Sequence, residues 1–72
     1  MSINEKIVLI ENCMDLEEGS LKPEDFVADY EEWDSLTILS VIAAVDEKYH
    51  KVITGEELKK VRTVSDIMRL MN

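Results

Sequence analysis

Apolar residues return every three or four positions along most of this chain. Ile3, Ile7, Ile10 and Met14 recur at spacings of four, three and four, one face of a helical wheel, and Val8 widens the stripe. Asn4, Lys6 and Glu11 are polar between them, and Cys13 falls on the margin as a packing residue. The spacing predicts a first helix over residues 3 to about 15, with Gly19 suited to its exit. Ile38, Ile42, Val45 and Tyr49 repeat the same intervals with Val41 alongside, which predicts a second helix from about Ser35 to Tyr49. On that helix Leu36, Leu39 and Ala43 form a second stripe, either buried as well or left as an apolar contact patch.

After Val52 and Ile53, a short extended apolar link, "TGEE" pairs Thr54 with Glu57 as a capping box and opens a brief helix to about Val61. "TVSD" repeats the device with Thr63 and Asp66, ahead of a last helix that has Val64, Ile67, Met68 and Met71 on one face. Ser20 to Trp33 is a long connection, in which Pro23 suits a short turn and Phe26, Val27, Tyr30 and Trp33 can peg the chain to the core. Long irregular connections are uncommon unless functional. The expected fold is all-α: a four-helix bundle with a short third helix and a long connection between helices 1 and 2, in a single domain over residues 1–72.

Charge sharpens this picture. The chain has 16 acids and 8 bases, a net charge of −8, and eight of the acids lie between Glu17 and Asp34 with Lys22 as their one base. Elsewhere acids and bases nearly cancel. Nucleic acid and anionic membranes are poor partners for such a surface, and basic proteins are natural ones. The acid-rich segment reads either as a solvated loop or as a docking surface beside the serine, and the second is preferred because screening over about 10 Å confines its field to the neighbourhood. One cysteine permits no internal disulfide, no Cys/His zinc pattern exists, and no apolar run is long enough for a signal peptide or a membrane span. A cytoplasmic monomer is expected. Because the sequence starts at Met1 and ends just after the last helix, a free-standing protein is expected too.

At the centre stands "EEWDSLTIL", with Ser35 between an acid and an apolar run. A serine nucleophile needs a base within hydrogen-bond reach. The sole histidine, His50, lies fifteen residues on, about 22 Å away along a continuous helix. It reads as a surface residue at a helix C-terminus. No glycine-rich phosphate loop or EF-hand pattern is present, so no catalytic or metal-binding residue is assigned and the chain is not read as an enzyme. Asp34 can cap the helix by itself, leaving the Ser35 hydroxyl free in the first turn. A phosphate ester there would sit at a helix N-terminus, which favours anions.

An Asp-Ser-Leu triplet midway along a small acidic four-helix chain resembles the acyl carrier protein family. The similarity runs from the first helix through "WDSLTILSVIAAVDEKYHKVI", "TGEEL" and "TVSDIMRLM". The resemblance implies that Ser35 carries a covalent 4′-phosphopantetheine arm, taken from coenzyme A by a phosphopantetheinyl transferase, which holds acyl groups as thioesters. Asp34 matches the acid that helps engage the transferase and its magnesium ion, and Leu36 the hydrophobic residue that partner enzymes touch. Leu39 and Ala43 match exposed contacts of the recognition helix, while Ile42, Val45, Tyr49 and Ile53 match core positions.

Thr37 and Ser40 stand where many fatty-acid carriers have acids, which return only at Asp46 and Glu47. The negative field moves into the preceding loop, so Glu31, Glu32 and Glu47 join Leu36, Leu39 and Ala43 as expected contacts for basic synthases, ligases or transferases. Fatty-acid biosynthesis and a dedicated acyl, polyketide or aminoacyl pathway both suit this pattern. The rival expectation is an unmodified acidic helical adaptor for a basic protein, with Ser35 a cap and nothing more.

Overall fold

The computed structural model describes residues 3–71. Helix α1 spans Ile3–Cys13, α2 Ser35–Tyr49, α3 Gly55–Lys60 and α4 Val64–Leu70, and a 3-10 turn at Val27–Asp29 interrupts the connection after α1. Helix α1 packs on both α2 and α4, and α3 packs on α2. This is the expected all-helical architecture, with the third helix the shortest.

Because α1 has two helical neighbours, it buries a wider arc than one stripe. Ile7, Ile10 and Met14 enter the core as expected and Leu9 joins them, but Ile3, the first member of the stripe, is 62% exposed. The helix also ends earlier than about residue 15. Asp15 takes a left-handed conformation (φ 57°), its N–H donates to the Asn12 carbonyl, and the Leu16 N–H reaches back to the Glu11 carbonyl at 2.9 Å. These two bonds form a Schellman closure, so the exit is made by Asp15 rather than Gly19. Gly19 serves a later turn, where the Ser20 N–H donates to Glu17 and a φ of 91° suits glycine.

Glu11 is the largest departure from the pattern. It is 1% exposed, and its Oε2 accepts the backbone N–H of buried Leu21 at 2.9 Å. The carboxylate thus holds an apolar plug of the connection against the bundle. Its Oε1 is also buried and has no hydrogen-bond partner among the described residues. Periodicity assigned this side chain to the polar face because the contact spans ten residues of sequence.

The connection is irregular but tied down. The Asp25 N–H donates to the Lys22 carbonyl and the Lys22 N–H to Asp25 Oδ2, closing a turn around Pro23. An antiparallel bridge joins Phe26 to Thr63, flanked by bonds from the Val27 N–H to the Arg62 carbonyl and from the Val64 N–H to the Asp25 carbonyl, both 3.0 Å. Extended backbone alternates its side chains, so Val27 is buried and Phe26 faces outward. Tyr30 and Trp33 pack partly buried against the core. The same alternation separates buried Ile53 from exposed Val52.

In α2, Ile38, Val41 and Val45 are buried, whereas Ile42 and Tyr49 are only half-buried. The helix closes on His50, exposed and left-handed (φ 54°), whose N–H donates to the Asp46 carbonyl. Both capping boxes form, Thr54 with Glu57 and Thr63 with Asp66. Asp66 further accepts the Arg62 N–H, and its backbone hydrogen bonds hold its pKa below the usual 3.8, aided by Arg69. Leu58, Val64 and Ile67 are fully buried, with Met71 close behind.

Two substitutions test this packing. Leu58→Ala should cost about 2–5 kcal/mol, the usual range for emptying a buried leucine site. Glu11→Ala should lower the melting temperature more than Glu11→Gln, because the amide keeps an acceptor for the Leu21 N–H. Equal melting temperatures for the two Glu11 variants would refute the latch.

Candidate functional site

The head of α2 is built by three side chains with separate tasks. Asp34 is the N-cap, extended at φ −123°, and its Oδ1 accepts the Thr37 N–H at 2.9 Å. That bond is the main cause of the Asp34 pKa lying below its usual 3.8, so the carboxylate is charged at neutral pH. Thr37 is buried and donates its hydroxyl to the Glu32 carbonyl at 2.6 Å, which fastens the acidic turn to the helix. Ser35 is left over. It is the first residue of α2, exposed, and its hydroxyl makes no hydrogen bond among the described residues.

Around this serine the surface is apolar and open. Leu36 is 75% exposed, Leu39 62%, and Ala43 is exposed one turn further on. The second stripe of α2 is therefore a surface ridge. Beside it Ser35, Ile38, Leu39, Ile42, Gly55 and Lys59 line a groove of about 280 Å³ between α2 and α3. A larger groove of about 620 Å³ lies on the other flank of α2, against α1, lined by Val8, Cys13, Ser40, Ala44 and Glu47 among others. Partial burial raises the pKa of the Cys13 thiol, which suits its packing position.

The structure gathers Asp34, Ser35, Leu36 and Leu39 at one end of α2, with exposed Glu31 and Glu32 in the turn before them. Glu47 stands apart, twelve residues along the same helix or about 18 Å from Ser35, on the groove facing α1. His50 caps the far end of α2 and cannot reach the serine. Two participants escaped the sequence reading. Thr37 looked like a missing acid and is a fastener, and Lys59 comes to line the same groove as Ser35 through the packing of α3 on α2. No group of three His, Cys, Asp or Glu side chains is placed to hold a metal, and no helix is long and apolar enough to cross a membrane, among the described residues.

No protein-family model matches the sequence, and no curated protein matches it significantly. The fold does match. The solution structure of a holo acyl carrier protein from Geobacter metallireducens superposes with a TM-score of 0.69 at 25% identity, over 89% of this chain and 74% of that one. The chain therefore has the acyl carrier protein fold.

Two consequences can be measured. Thr37→Val keeps the shape but loses the hydroxyl bond, at a cost of about 1 kcal/mol, or roughly 4–8 °C in melting temperature for a domain of this size. Asp34 and Asp66 have lowered pKa values, so their stabilisation is present above the ordinary 3.8 and lost as pH falls through the lower folded values. Melting temperature should therefore drop on acidification below that point, and less steeply in Asp34→Asn.

Proposed function

We propose that the chain is an acyl carrier protein and that Ser35 is the attachment point of a 4′-phosphopantetheine arm. The observation that carries this reading is the free, exposed Ser35 hydroxyl at the head of α2, relieved of capping by Asp34, within a fold shared with a holo acyl carrier protein. In loading, the Ser35 oxygen gives up its proton and bonds to the pantetheine phosphorus of coenzyme A, and adenosine 3′,5′-bisphosphate leaves. The base for that step comes from the transferase, since His50 lies at the opposite end of α2.

The residues present fit such an arm. An exposed hydroxyl offers the link, and Ile38, Leu39 and Ile42 offer an apolar wall beside it. Once attached, the group supplies a terminal thiol for acyl or aminoacyl cargo. Leu36, Leu39 and Ala43 form the ridge that a partner enzyme covers, and the Glu31 and Glu32 carboxylates steer basic transferases, synthases or ligases toward it. Contacts of this kind are weak and fast, which suits a carrier that must release each partner.

Incubation with coenzyme A, magnesium and a promiscuous phosphopantetheinyl transferase tests the proposal. Intact mass should rise by one phosphopantetheine group, and Ser35→Ala should remove the gain while keeping the melting temperature near that of the wild type. An unchanged wild-type mass would refute carrier function and favour the unmodified adaptor.

A further inference from the structure

Lys59 occupies an unusual place for a base in this acidic protein. It lies in the last turn of α3, where cations suit the helix dipole, as Lys60 does beside it. Only Lys59 of the two lines the groove that contains Ser35. It forms no ion pair among the described residues, although the chain holds twice as many acids as bases. Lys59, without an ion pair among the described residues, thus lines the same small groove as Ser35, whose hydroxyl is unengaged.

We infer that Lys59 holds the phosphodiester of an arm on Ser35 and so directs that arm along the α2–α3 groove. This rests on Ser35 carrying the arm. A phosphodiester on the Ser35 oxygen bears one negative charge at the mouth of the groove. On its loop side stand the Asp34 carboxylate, kept ionised by its hydrogen bonds, and the exposed carboxylates of Glu31 and Glu32. These repel it. On the α3 side stands Lys59, which attracts it.

The resulting gradient points across the groove, away from the acidic turn. Ile38, Leu39 and Ile42 then meet the methyl and methylene groups of the arm. The α1-facing groove is larger, but Ser35 does not line it, and the opposite charges of Glu47 and Lys48 on its wall offset each other. An exposed ion pair of this kind is modest, so the bias should be no more than about five-fold. Salt should weaken it, because the screening length falls to about 3 Å at 1 M.

The test uses the intact protein loaded enzymatically with a coenzyme A analogue whose arm ends in a nitroxide. Intact mass first establishes loading, and amide resonances then report where the nitroxide dwells. In the wild type, Gly55 and Ile42 should broaden more than Cys13 and Ala44. Lys59→Ala and Lys59→Gln should reduce that contrast by about two- to five-fold, as should 1 M salt, while Lys59→Arg and Lys60→Ala keep it. Absence of loading overturns the carrier reading and this inference with it. Full loading with equal contrast in the wild type and Lys59→Ala overturns the inference alone, and so does an equal loss in Lys60→Ala, which would assign the effect to charge at the end of α3.

Discussion

The hydrogen bond from the Thr37 N–H to the Asp34 carboxylate is the constraint on which the rest of the site depends. A helix of fifteen residues needs its first N–H groups satisfied, and a serine at its start is an obvious candidate for the task. With Asp34 in that role, Ser35 advances one place into the first turn and its hydroxyl faces solvent. Thr37 adds a second tie by gripping the Glu32 carbonyl, so the acidic turn cannot swing away from the serine it precedes. At the other end of the connection the Glu11 carboxylate holds Leu21. A long irregular segment is thus ordered by side chains bonding to backbone, with little regular structure of its own.

This arrangement divides the surface around α2 by chemistry. Acids crowd the turn before the helix, apolar side chains run along its outer ridge, and lysines end the short helix on its α3 flank. The net charge is concentrated in one loop, so the negative field is strongest there and the rest of the surface stays close to neutral. The absence of acids early in α2 fits the same division. Thr37 is engaged in building the site, and Ser40 faces the groove on the α1 side.

Features set by near neighbours were legible in the sequence. The helix of Ser35–Tyr49, both capping boxes, the turn at Pro23 and the left-over hydroxyl of Ser35 all follow from contacts within a few positions. Features set across the fold were not. Ile3 satisfies the period of α1 and is nonetheless exposed, whereas Glu11 violates the polar pattern because Leu21 returns to meet it. Phe26 and Val27 are equally apolar, and only the pairing with the α3–α4 junction decides which one turns inward. Lys59 enters the groove for the same kind of reason. Its place follows from how α3 lies on α2, and no spacing within α3 announces it.

Helix α3 has six residues, one fully buried side chain and a threonine clasp at its start. Helices much shorter than about a dozen residues do not persist alone in water, so α3 exists because Leu58 is seated. One wall of the groove beside Ser35 is therefore also the least self-sufficient piece of the bundle. Unseating that leucine would widen the cleft and dissolve its wall in the same motion, leaving α1, α2 and α4 to keep the remainder of the domain folded.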